Sequence, residues 1–144
     1  MPLSVVIDAS VLIKAYVPEN MSSKAEELLE KMEQGTIRLV APDLVYPETG
    51  NILWKKHRLK ELTSAEVKII SDAIAALPLK IEPSKPLFPL AVDLGITYNI
   101  TVYDALYVSL ATVLETRLIT ADKKLEDALR KTPLKKRVEW LGEV

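Results

Sequence analysis

Val5 to Ile13 reads VVIDASVLI: an apolar run meets an acid at Asp8, and a helical pattern starts directly behind it. Consecutive apolar residues suit a strand covered on both faces, as parallel sheets require. The same transition recurs along the chain. Strands are expected at Val5–Ile7, Ile37–Val40, Leu79–Ile81, Leu118–Thr120 and Val138–Leu141. Helices are expected at Ser10–Tyr16, Ser22–Gln34, Asp43–His57, Thr63–Leu77, Leu87–Leu94, Thr101–Glu115 and Asp122–Lys131. Thr63 with Glu66 forms a T-x-x-E capping box, and Gly35 closes the second helix as a C-terminal glycine. The Pro-rich stretch from Pro78 to Pro89 reads as a strand with its flanking turns, because a helix follows at once. Alternating strands and helices predict a three-layer α/β/α domain with a mainly parallel central sheet, spanning residues 1–144 as one unit.

Composition then removes several chemistries. The chain has 144 residues, 49% of them hydrophobic, no cysteine and one histidine, His57. Without Cys there are no disulfides, thiolate metal sites or cysteine nucleophiles, and one histidine leaves little material for zinc or a Ser-His-Asp triad. No apolar run reaches membrane-spanning length, and MPLSVVID lacks the basic start and cleavage site of a signal peptide. A cytoplasmic protein with no membrane partner is the expectation.

The remaining chemistry lies in four acids placed beside apolar runs: Asp8 in VVIDASVLI, Glu48 in PDLVYPETGNIL, Asp104 in TVYDALYVSLA and Asp122 in LITADKKL. Each has a plain structural reading. Asp8 and Asp122 can cap helices, Asp104 can complete a T-x-x-D box with Thr101, and Glu48 can be an exposed helical glutamate. Their shared placement argues for more. In open parallel sheets the ligand crevice lies outside the carboxyl ends of the strands. Asp8 and Asp122 end strands, while Glu48 and Asp104 lie in first helical turns that can start at the same edge. Two carboxylates about 4 Å apart repel by roughly 4 kcal/mol at an effective dielectric near 20, so a cluster must take up protons or a cation. Oxygen ligands without His or Cys select a hard ion, Mg2+ or Mn2+. Ser10 and Thr120 stand two residues after Asp8 and two before Asp122, where hydroxyls can orient carboxylates or a metal-bound water.

In this order and spacing, VVIDASVLI, PDLVYPETGNIL, TVYDALYVSLA and LITADKKL resemble the PIN domain, and specifically the VapC-type ribonuclease toxins of VapBC toxin–antitoxin pairs. The resemblance spans essentially the whole chain. It implies a metal-dependent endoribonuclease that works as a homodimer and is held inactive by a VapB-like antitoxin. The family's acidic quartet falls on Asp8, Glu48, Asp104 and Asp122, with Ser10 and Thr120 as companion hydroxyls. Asp8, Asp104 and Asp122 are then expected to hold the metal, with Glu48 completing the shell or positioning the water. Other folds with acids at a sheet edge fit less well. A receiver domain wants two adjacent acids after its first strand, and an aspartate-nucleophile phosphatase wants D-x-D, where this chain has D-A-S. A stand-alone PIN endonuclease of RNA processing, or a PIN-like interaction module, remains the alternative.

With a net charge of only −1, contact with RNA must come from local patches. Lys55, Lys56, His57, Arg58 and Lys60 form one, from which Lys55, Lys56 and Arg58 are the candidate phosphate contacts; Lys131, Lys135, Lys136 and Arg137 form another. The helix after Thr63 carries Val67, Ile69, Ile70, Ala73, Ile74 and Leu77, more apolar surface than one sheet-facing stripe needs; a deeply buried helix accounts for this, and so does the two-fold pairing through this region that the family resemblance implies. Leu12, Ile13, Tyr16, Leu28, Leu29 and Met32 are expected either to pack in the core or to line a groove for an antitoxin tail.

Overall fold

The computed structural model describes residues 2–144. Five parallel strands form one sheet in the order β3-β2-β1-β4-β5, with β1 at Leu3–Ile7, β2 at Ile37–Pro42, β3 at Lys80–Glu82, β4 at Leu118–Thr120 and β5 at Val138–Trp140. The helices are α1 (Ala9–Tyr16), α2 (Ser22–Glu33), α3 (Val45–Arg58), α4 (Ser64–Ala76), α5 (Phe88–Tyr98), α6 (Val102–Val113) and α7 (Lys123–Leu129). Every expected element is present, with ends shifted by a few residues. The largest shift is in α5, which passes Leu94 and Gly95 to end at Tyr98. Gly95 is tolerated inside that helix because the backbone there lies close to the Ile100 carbonyl, 3.1 Å from where a Cβ would stand. Asn99 then breaks the helix in the left-handed region, at φ 54.

Local signals explain the other boundaries. Thr63 and Glu66 make both bonds of the capping box. Gly35, at φ 76, stops α2, and the Thr36 amide returns to the Lys31 carbonyl as a left-handed C-terminal turn requires.

The chain starts at the centre of the sheet. From β1 it winds outward to β2 and β3, then crosses back to lay β4 on the other side of β1. Val5, Val6 and Ile7 are 1%, 0% and 0% exposed, and Leu118, Ile119 and Thr120 are equally enclosed, because helices cover both faces of these inner strands. Helix α1 packs on both α2 and α3; α6 lies against β1, β2 and β4, and α5 packs on α6. This is a three-layer α/β/α domain.

Two expectations about apolar faces separate here. Leu12, Ile13, Leu28, Leu29 and Met32 are buried, and Tyr16 packs partly buried against the same core. They hold α1 and α2 together, so they do not form an open groove. Helix α4 behaves differently: only Ile74 is buried, and Ile69 is 69% exposed.

Candidate active site

The direction of winding reverses between β1 and β4, and a crevice opens above the carboxyl ends of such a pair. Val6 pairs with Leu118 and Ile7 with Ile119, so Asp8 and Thr120 meet side by side as the two strands end. Asp8 is only 7% exposed. Its Oδ1 accepts from the Ser10 amide at 3.1 Å, the Val11 amide at 3.3 Å and the Ser10 hydroxyl, while Oδ2 accepts from the Thr120 hydroxyl. The two hydroxyls also tie the strand ends together. Ser10 Oγ accepts from the Ala121 amide at 2.9 Å, and Thr120 Oγ1 accepts from the Asp122 amide at 3.0 Å. Ser10 and Thr120 therefore orient the segments that carry both strand-end acids.

Capping accounts for the local geometry without using up the acids. Asp8 caps α1, Asp122 caps α7 through the amides of Lys124 and Leu125, and Thr101 caps α6 by accepting from the Asp104 amide at 3.1 Å. The caps leave all four acids facing one cavity. Its volume is about 150 Å³, and Asp8, Ala9, Ser10, Glu48, Ile52, Asp104, Tyr107 and Asp122 line it. Each acid arrives from a different element: the end of β1, the first turn of α3, the first turn of α6 and the turn after β4. No lysine, arginine or histidine lines the cavity, and among the described residues none of the four acids takes part in an ion pair.

The electrostatic result is uncompensated negative charge. Burial pushes the Asp8 carboxyl up to about 6 against the four hydrogen bonds that favour its ionised form, and Asp104 adds to the rise. Asp104 is also raised to about 6, by burial first and then by the charges of Asp122 and Glu48. Among the described residues no three such side chains converge on a single point as a closed ligand cage. An open arrangement is what mutually repelling carboxylates adopt. The donors nevertheless fit a hard divalent cation: all are oxygens, all face one cavity, and the protein supplies no positive group in its place.

One lining residue carries no functional mark in the sequence. Tyr107 lies one helical turn after Asp104 in TVYDALYVSLA, and its hydroxyl donates to Glu48 Oε1 at 2.5 Å. Its spacing from Asp104 was the available signal, masked because an aromatic residue in an apolar helix reads as core. The basic run on α3 divides. Lys56 is engaged by Glu19 at 2.6 Å and by Glu61, Arg58 stacks over Trp54 at 5.0 Å, and Lys55 is exposed and without an ion pair among the described residues. Lys55 shares the stripe of Glu48 and Ile52, at i, i+4 and i+7. The His57 ring contacts the Leu62 carbonyl at 3.0 Å and stays outside the cavity lining. In the second run, Arg137 donates to the Thr116 carbonyl.

Comparison with known proteins agrees with this architecture. The PIN-domain profile matches residues 5–131. The chain is 31% identical to Ribonuclease VapC3 of Pyrobaculum aerophilum over 127 residues, covering 87% of this chain and 94% of that protein. It is 30% identical to Ribonuclease VapC1 of Mycobacterium tuberculosis, covering 85% and 89%. Solved structures of similar fold include a Pyrobaculum aerophilum protein, with a TM-score of 0.67 and 21% identity over 98% of this chain and 85% of the other. VapBC2 from Rickettsia felis, bound to a DNA fragment from its promoter, gives a TM-score of 0.68 at 15% identity, covering 96% and 98%. The chain belongs to the PIN-domain family, in its VapC branch.

Proposed function

We propose that this protein is an endoribonuclease, dependent on Mg2+ or Mn2+, that serves as the toxin of a type II toxin–antitoxin pair. The observation that carries the reading is the single cavity at the strand-order reversal, lined by Asp8, Glu48, Asp104 and Asp122 without a counter-charge. The relatives' name, Ribonuclease VapC, supports the reaction class. The toxin–antitoxin complexes among proteins of like fold support a VapB-like partner.

Asp8, Glu48, Asp104 and Asp122 would hold the cation. A divalent ion bound there supplies charge neutralisation at the phosphate and an activated water for phosphodiester hydrolysis. Ser10 and Thr120 favour the ionised form of Asp8 and aim it, and the bonds they accept from the Ala121 and Asp122 amides keep the β4 acid in register with it. Lys55 offers a phosphate contact along α3, about 10 Å from Glu48 at the helical rise. Arg58 and Lys56 stand beside it, the latter held by Glu19. The exposed apolar residues of α4 fit a two-fold contact between copies of the chain.

The decisive test is cleavage of RNA by purified protein with Mg2+, Mn2+ or a chelator, in wild type and Asp8→Asn. Metal-dependent cleavage that disappears in a folded D8N protein is the expected result. Undiminished cleavage in D8N would overturn the site.

A further inference from the structure

Glu48 is the acid of the cavity whose carboxylate is held by a side chain from another helix, and not by the amides of a helix end. Asp8 and Asp122 are pinned by the amides of the helices they cap. Asp104 lies in the first turn of α6, where its amide donates to the capping Thr101 hydroxyl. Glu48 sits on α3 with a long, flexible side chain, and the Tyr107 hydroxyl is the hydrogen-bond partner it has among the described residues. That tyrosine is 1% exposed, its ring enclosed in the core, so its hydroxyl has little freedom to move. A phenol fixed by packing that donates to one oxygen of a carboxylate does two things. It selects one rotamer of the glutamate, and it leaves the second oxygen for whatever occupies the cavity.

We infer that Tyr107 is a positioning residue: by holding Glu48 Oε1 it presents Oε2 to the cation, linking α6 to α3 across the site. The inference rests on the metal-site reading above. Tyr107 does not touch the metal or the substrate in this scheme; it acts through Glu48 alone. Replacement by Phe removes the hydroxyl and keeps the ring that the core packs around.

The experiment is a double-mutant cycle on Mn2+ affinity, measured by calorimetry on the wild type, Y107F, E48A and the double variant. Y107F is expected to bind Mn2+ about tenfold more weakly, the usual scale for losing a partner that orients a ligand. In the E48A background, which keeps Asp8, Asp104 and Asp122, the same change should alter affinity by less than about twofold. A second readout is the 13C Cζ resonance of Tyr107, assigned by its loss in Y107F. Saturating Mg2+ should move it in the wild type, a readout that does not depend on metal binding by E48A; an unmoved resonance in metal-saturated wild type would overturn the inference. Equal losses in both backgrounds, or loss of cooperative unfolding in Y107F, would assign the hydroxyl to the fold and overturn the inference. Unchanged affinity in Y107F would overturn it while leaving the metal site standing. A wild type that binds no Mn2+ would overturn both.

Discussion

Asp8 combines two roles that usually fall to different residues: it caps a helix and, itself buried, carries charge into a cavity shared with three other acids. The second role is unfavourable in the metal-free protein. A carboxyl raised in the folded state holds its proton more tightly there, so the stability it contributes is complete below its ordinary value of 3.8 and is lost as the pH rises through about 6. Asp104 has the same sign and window. Glu19, Glu66 and Glu126 are lowered, so their contributions are lost only as pH falls below the ordinary value of 4.5 and are constant between there and about pH 6. Metal-free protein should therefore lose stability from about pH 4.5 to about pH 6, by up to about 2 kcal/mol from Asp8 alone, and level off above that. Thermal melts across this range should show a flatter profile for D8N. A slope identical to wild type would remove Asp8 as its source.

At the level of elements, α3 shows how one helix divides its labour. Its first turn brings Glu48 to the cavity, while its basic last turn is split between structural and free charges. Lys56 joins α3 to Glu19 in the segment between α1 and α2, and Lys14 shares that glutamate at 3.1 Å. Lys56→Ala should cost about 1 kcal/mol or less, because the pair is partly solvated, and should leave the salt dependence of RNA binding intact. Lys55→Ala should do the reverse, lowering the salt slope of binding by about one unit with little change in melting temperature. Filter binding of RNA across a salt series, with melts of both variants, checks the division. A salt slope unchanged in K55A would remove it from the RNA path. The capping box at Thr63 is a control remote from the chemistry: T63A should cost about 1 kcal/mol and leave cleavage unchanged.

The whole molecule brings together acids from opposite ends of the chain. Asp8 and Asp122 are neighbours because β4 returns beside β1, and α3 and α6 deliver Glu48 and Asp104 to the same edge. Since an occupied site relieves repulsion among all four, Mn2+ at a hundredfold excess over its Kd should raise stability by about 2.7 kcal/mol. Calorimetry with Mn2+ against chelator measures this; equal melting temperatures would speak against binding in the absence of RNA. The face of α4 makes a second prediction at this scale. With Ile69 in water and only Ile74 of that helix buried, a two-fold pairing is expected. Sedimentation should give a dimer at tens of micromolar that I69E converts to monomer; a monomeric wild type would refute it.

The order of strands and helices, the caps at Thr63 and Gly35 and the four acids were all legible in the sequence, because each is encoded within a few residues: apolar runs, turn chemistry, an acid where a strand stops. Their convergence depended on strand order. Nothing local in LIT requires β4 to lie against β1, yet that pairing decides whether Asp122 meets Asp8. The same limit explains Tyr107 and the apolar faces. Periodicity marks a residue as apolar without saying what covers it, so Leu12, Ile13, Leu28, Leu29 and Met32 read the same whether they face the core or a partner. Only packing places those five in the core, leaves Ile69 in water and aims the Tyr107 hydroxyl at a glutamate on another helix. Short-range chemistry determined the elements and their acids, and long-range burial decided which of them face one another.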